Sequence, residues 1–122
     1  MNKKVQEKVE KLIEELELNC TIEEFKNKVV WWNISVYQTL SENFIREFQD
    51  KVDWKIISIF QELSEDFIRE FQDKVNWEEI SCCQKFSYQF LLEFKDEIDW
   101  NLAKNNILKI LKELDTREIK NG

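Results

Sequence analysis

The side chains from which chemistry could be built in this 122-residue chain are three cysteines, twenty-five carboxylates and five tryptophans, with no histidine beside them. Cys82 and Cys83 are adjacent and Cys20 stands apart. A nucleophilic thiolate needs a neighbouring base, most often His, and none is present. Three thiols without His also fall short of the four ligands of a structural zinc ion. An odd number of cysteines is no disulfide framework, which fits free thiols in a reducing cytoplasm.

The carboxylates recur in pairs, Asp50 with Asp53 and Asp96 with Asp99. A general acid–base pair requires two carboxyls in one pocket with their pKa values driven apart. These pairs sit instead among lysines at expected helix ends, where an Asp caps backbone N–H groups. Gly122 is the single glycine and proline is absent, which removes the EF-hand loop, the phosphate-cradling loop and the nucleophile elbow. Trp31, Trp54, Trp77 and Trp100 could be a stacking platform for bases, but base stacking wants a cationic groove and the net charge is −7. The expectation is a protein that is not an enzyme, with no catalytic residue, no cofactor, no metal and no direct nucleic-acid contact.

Such a chain must then act through its surface, and its elements decide what that surface carries. Apolar residues make up 43% and charged residues 35%, a mixture able to close one small core. The length suits a single domain over 1–122. No apolar run is long enough to span a membrane, and the N-terminus, MNKKVQEKVEKLIEELEL, is broken by Glu throughout and has no signal-peptide core.

The chain repeats itself. LSENFIREFQDKVDWKIISIFQE (Leu40 to Glu62) recurs 23 residues later as LSEDFIREFQDKVNWEEISCCQK, then more loosely from Phe86, and backward from Phe25. Phe25, Phe48, Phe71 and Phe94 are equivalent, as are Val29, Val52, Val75 and Ile98, the four tryptophans, and Ile34, Ile57, Ile80 and Ala103. The first copy is one residue short near Asn19 and the last drifts after Trp100. Each unit reads as two short helices. Phe67, Ile68, Phe71 and Val75 form one stripe behind a Ser64 N-cap, a slot held elsewhere by Ser41 and Ser87. Arg69–Asp73 and Glu70–Lys74 are i,i+4 pairs. Asn76, equivalent to Asp53 and Asp99, caps a second helix, with Glu79 placed as in a capping box. That helix buries Trp77 and Ile80, continued by Ser81 and Gln84.

Helices this short cannot bury their aromatics alone. The expected fold is therefore all-α, with 23-residue helical hairpins over 20–100 stacked like a solenoid. Capping helices over 1–19 (Val5, Val9, Leu12, Ile13, Leu16) and 101–122 (Ala103, Ile107, Ile110, Leu111, Leu114) would close its ends. An irregular bundle grown by duplication would show the same period.

The string LSEDFIREFQDKVNW, followed by an IS pair and Gln, resembles a short helical repeat of uncharacterised proteins in large DNA viruses, phages and low-GC bacteria. The resemblance implies a binding scaffold in a viral or mobile-element setting and brings no functional residue.

Constant positions build a scaffold, so specificity belongs at positions that change: Val36–Tyr37, Ile59–Phe60 and Cys82–Cys83, with Trp32, Ile56 and Tyr88 nearby. Ile59 and the two cysteines are expected as filler, since Cys often serves as a small buried hydrophobe; Tyr37 and Phe60 are expected to face a partner. Residues 21–100 hold 9 basic and 17 acidic side chains, so the acidity lies in the repeats. The expected partner is a protein, and the concrete form is a small phage or mobile-element inhibitor that blocks a basic nucleic-acid site of a host defence nuclease, as anti-CRISPR proteins do. Trp32, Tyr37, Phe60, Tyr88, Asp50, Asp73 and Asp96 are its candidate contacts. A self-associating module, forming a homodimer through its exposed stripe, is the alternative.

Overall fold

The computed structural model describes residues 1–121, with side-chain surroundings through Thr116; Gly122, the end of the expected 101–122 cap, lies outside them. Among the described residues there are nine α-helices and no strand: α1 (Lys3–Glu15), α2 (Phe25–Lys28), α3 (Trp31–Tyr37), α4 (Glu42–Glu47), α5 (Trp54–Phe60), α6 (Glu65–Glu70), α7 (Trp77–Cys83), α8 (Tyr88–Glu93) and α9 (Lys104–Asn121). The fold is all-α. The chain divides into two compact units, Met1–Ile57 and Ser58–Gly122.

The repeat is visible in the elements themselves. Helices α4, α6 and α8 each have six residues, and each follows a serine whose hydroxyl accepts the N–H of the Phe three residues on: Ser41 from Phe44, Ser64 from Phe67, Ser87 from Phe90, at 3.1 to 3.2 Å. Asn76 accepts the Glu79 N–H at 3.1 Å, and Asp53 and Asp99 take the same role toward Ile56 and Leu102. The reciprocal half of the expected capping box is absent. The Asn76 N–H goes instead to the Ser58 hydroxyl at 3.2 Å, which relieves Glu79 of the task.

The helical stripe expected to run through Val75 stops at Glu70. The chain then turns, with Lys74 and Val75 both donating to the Phe71 carbonyl, and Val75 is buried from the turn. Two side chains take the carbonyls this leaves open. Gln72 Nε2 donates to Arg69 O at 2.9 Å, and the Trp77 indole donates to Gln72 O at 3.0 Å. The indole bond recurs in every copy, from Trp31, Trp54 and Trp100 to the carbonyl five residues back, at 2.9 to 3.1 Å. The tryptophans thus do more than fill space: each ends the helix before it.

In the first unit α1 packs on α4, burying Val5, Val9 and Leu12 beside an aromatic core of Phe25, Phe44 and Phe48. The Trp31 ring lies 5.1 Å from Phe48 and Phe44 lies 4.9 Å from Phe48. In the second unit Trp77 lies 4.9 Å from Phe94, and Phe90 4.7 Å from it. Each of these tryptophans is half-buried against the Phe pair of the following copy. Trp100 is exposed because positions 113 and 117, where the next Phe pair would fall, hold Glu and Arg.

Helix α1 ends through Glu17 at φ 53°, with Leu18 N–H bonded to Ile13 O and Glu17 N–H to Glu14 O. This is a Schellman ending whose left-handed position, usually Gly, carries a Glu side chain. Glu17→Gly should therefore raise stability by about 1 kcal/mol in chemical denaturation; an unchanged or lowered midpoint would mean the Glu side chain holds the turn.

The polar interior of the second unit is built on Ser81 and Gln84. Ser81 is wholly buried; its hydroxyl donates to Trp77 O at 2.6 Å and accepts the Asp99 N–H at 2.9 Å. Gln84 Nε2 donates to Ser58 O at 2.9 Å and Gln61 O at 2.6 Å, while its Oε1 accepts the Leu63 N–H at 3.1 Å. Gln84 thereby joins carbonyls at the end of α5 and just beyond it to the N–H of Leu63. One copy later Asn106 donates to Ser81 O and Gln84 O, both at 3.0 Å. Position 107, where the period would put a Gln, is Ile, and the shorter amide one residue earlier does the work.

Candidate protein-interaction surface

The apolar positions that are constant between repeats are buried, apart from the tryptophans, whereas the constant charged positions Glu47, Glu70 and Glu93 and Asp50, Asp73 and Asp96 are exposed. The Ile34, Ile57, Ile80 and Ala103 slot is fully so, and the Phe25, Phe48, Phe71, Phe94 and Val29, Val52, Val75, Ile98 slots nearly so. The positions that change lie outside. In the first unit Trp32 is 52% exposed and Tyr37 70%, their rings edge to face at 6.3 Å, with Val30 exposed beside them in the chain. No charged residue occurs from Val29 to Ser41, so this is an apolar and uncharged stretch. Asp50 is exposed in the turn after α4.

In the second unit Phe60 is 53% exposed and lines an open groove of about 360 Å³ with Ile59, Leu63, Cys83, Gln84 and Lys85. Tyr88 and Leu92, one turn apart on α8, are also exposed, and Asp73 and Asp96 stand in the turns after α6 and α8. The candidates thus fall on separate elements of two units: the structure joins Trp32 to Tyr37 and leaves the others apart.

The expectation for the cysteines is overturned. Cys82 and Cys83 are both exposed and fill no core slot. They follow Ser81 at the end of α7, whose buried side is already taken by Ile80, Ser81 and, just beyond it, Gln84; adjacent helical positions point about 100° away. Burial at the sulfur, a hydrogen bond with Cys82 and the charges of Cys82 and Glu79 push the Cys83 thiol up to about 11. It is the reverse of an activated nucleophile. Ile59 is half-buried, with one side on the groove.

The carboxylates divide by task. Asp53 caps α5, and Asp99 accepts the N–H groups of Asn101 and Leu102 in the turn before α9, so both belong to the scaffold. Arg69 does not pair with Asp73. It reaches Glu65 at 3.6 Å, Asp66 at 2.9 Å and, across the repeat, Glu93 at 2.9 Å, with its guanidinium 5.6 Å above the Phe90 ring. Asp73 lies beyond the end of α6 and loses the i,i+4 geometry. Hydrogen bonding to Glu93 holds the guanidinium above its ordinary value. Glu65 in turn accepts from the Ser87 N–H at 2.7 Å and hydroxyl at 3.0 Å.

Residues 58–103 contain eleven acidic and four basic side chains, whereas residues 1–57 contain eleven and nine. Glu62, Asp73, Glu78, Glu79, Asp96 and Glu97 make no ion pair among the described residues. The acidic excess is thus concentrated in residues 58–103 of the second unit. Among the described residues no three His, Cys, Asp or Glu side chains are placed to hold a metal ion, and no helix is long and apolar enough to cross a membrane.

The buried Ser81–Gln84 network carries a signal in the sequence, since Gln38, Gln61 and Gln84 recur at the repeat period within apolar surroundings. No protein-family model, no curated protein and no solved structure matches the chain.

Proposed function

We propose that this chain is a non-enzymatic protein-binding module. The observation that carries the reading is the division of labour between apolar positions: those repeated between copies are buried, and among those that vary Trp32, Tyr37 and Phe60 are exposed large groups. Exposed aromatics of this kind are the usual anchors of protein interfaces. The scaffold beneath them is a solenoid-like stack of 23-residue helical hairpins between α1 and α9. Its support is the bond pattern that returns one period later, Asn76 N–H to Ser58 and Asp99 N–H to Ser81.

The partner has a basic face. Asp50, Asp73 and Asp96, with the unpaired carboxylates of the second unit, supply the complementary charge, while Tyr88 adds an apolar contact. In its most specific form the module comes from a phage or mobile element, acts in the cytoplasm and blocks the nucleic-acid site of a host defence nuclease, in the manner of an anti-CRISPR protein.

The test is capture of bacterial proteins on immobilised wild-type chain and on a Tyr37→Ala/Phe60→Ala double variant, followed by a salt titration. Both residues are exposed, so the double variant should keep its stability to within about 1 kcal/mol. The expected result is a basic protein held by the wild type, released by salt and lost from the variant. Retention of nothing basic, or binding indifferent to salt, would overturn the reading.

Helix α9 favours a second reading, self-association. Leu111, expected to be covered, is 51% exposed, and Leu108 beside it 56%. Sedimentation at several concentrations separates the two: a stable dimer dissociated by Leu108→Glu would favour the homodimer.

A further inference from the structure

Cys82 and Cys83 do no structural work that the fold requires. The same two slots hold Val36–Tyr37 and Ile59–Phe60 in earlier copies, the sulfurs are exposed, and the inward side of α7 is filled by Ile80 and Ser81. The two thiols stand on adjacent residues at the exposed end of α7, and Glu79 Oε2 is 4.0 Å from Cys83 Sγ. Cys20, half-buried in the other unit, is a solitary thiol in the same chain.

A pair of sulfurs with no third His, Cys, Asp or Glu placed beside them among the described residues falls short of the four-coordinate zinc set and suits a soft centre that accepts two thiolates. We propose that Cys82 and Cys83 form a vicinal dithiol site for trivalent arsenic. With an arylarsine oxide as the donor, two As–S bonds form and the As=O bond breaks; the oxygen leaves as water with both thiol protons, and arsenic stays trivalent. No oxidant or reductant is consumed. Because both protons depart with the oxygen, the reaction does not depend on a standing thiolate. The protonated Cys83 thiol that resists simple alkylation is therefore no obstacle. Chelation, which one thiol cannot offer, supplies the selectivity. The site stands at the groove formed by Ile59 and Phe60, so the bound aryl group lies beside that groove. The inference is independent of the partner-binding reading.

The test uses the full chain and phenylarsine oxide at one equivalent, read by intact mass. The wild type should take up one phenylarsenic group bridging two sulfurs, keep it through a monothiol wash and release it to a dithiol. Cys82→Ser and Cys83→Ser should each lose the retained adduct entirely, and Cys20→Ser should keep it. Circular dichroism of each variant confirms the fold, which the exposure of both residues leads us to expect unchanged. Failure of the wild type to retain the adduct, retention in either single variant of the pair, or loss in Cys20→Ser would each overturn the proposal.

Discussion

Replacing Gln84 with alanine should lower the melting temperature by roughly 10–20 °C, from a loss of about 3–5 kcal/mol at a few degrees per kcal/mol. The side chain is 5% exposed and makes three bonds to backbone groups, two to carbonyls of the preceding copy and one from the N–H that opens its own. Alanine removes the side chain and with it the bonds to the Ser58 and Gln61 carbonyls and from the Leu63 N–H. An unsatisfied buried polar group costs about 1–3 kcal/mol, and three in one place do not add fully because the site relaxes or admits water. Apolar replacement by Met or Leu should recover little, since the backbone groups lose their partners whatever fills the volume. Gln84→Glu should be worse still, having exchanged two donors for a buried charge. Asn106→Ala makes the internal comparison. It is half-buried and makes two bonds, so its loss should be clearly smaller. Thermal melts followed by circular dichroism measure all four; a fall of less than about 3 °C for Gln84→Ala, roughly 1 kcal/mol, would mean that water already serves these groups in the native state.

Much of this fold is legible in the sequence because its period is. Identical residues 23 apart meet the same surroundings, so Ile34, Ile57, Ile80 and Ala103 could be assigned to the core together, and the Ser41, Ser64 and Ser87 caps likewise. What could not be read this way was where a helix stops. The apolar spacing from Phe67 to Val75 fits a continuous helix, yet the chain turns after Glu70, because Gln72 and the Trp77 indole take the exposed carbonyls. Those bonds are made by polar groups three and five positions away, and hydrophobic periodicity is blind to them. Arg69 was misassigned for the same reason, since its partner Glu93 lies one copy further on and Asp73 leaves the helix. The cysteines show the opposite failure. An apolar slot inferred from Ile59–Phe60 and Val36–Tyr37 was read as a core slot, although exposed Phe60 and Tyr37 prove that the slot itself faces out. The apolar part of the candidate surface is thus legible from variability between copies, while its exposure comes from the structure.

Phe90→Ala should cost about 3–5 kcal/mol, the range for truncating a fully buried aromatic, and it discriminates between the two architectures that the period allows. The Phe90 ring is wholly buried, 4.7 Å from Phe94, 5.6 Å from Phe86 and 6.3 Å from Trp77, with Arg69 above its face. Phe44 and Phe67 are equally buried, each with a Phe four residues on at 4.9 and 4.7 Å. In a stack of equivalent hairpins, stability is a sum of repeat terms and nearest-neighbour terms. Phe44→Ala, Phe67→Ala and Phe90→Ala should then cost the same to within about 1 kcal/mol, with Phe90 the largest if the Arg69 contact adds its share. In an irregular bundle no such equality is required, because each site would collapse differently around its cavity. A Trp77→Phe/Phe90→Ala cycle sharpens the comparison: the rings touch across copies, so the double variant should lose about 0.5–1.5 kcal/mol less than the two singles together. Urea titrations of the single and double variants give these numbers directly. Three unequal phenylalanine costs with no coupling between Trp77 and Phe90 would leave the 23-residue period as a relic of duplication, and the stack would have to be given up.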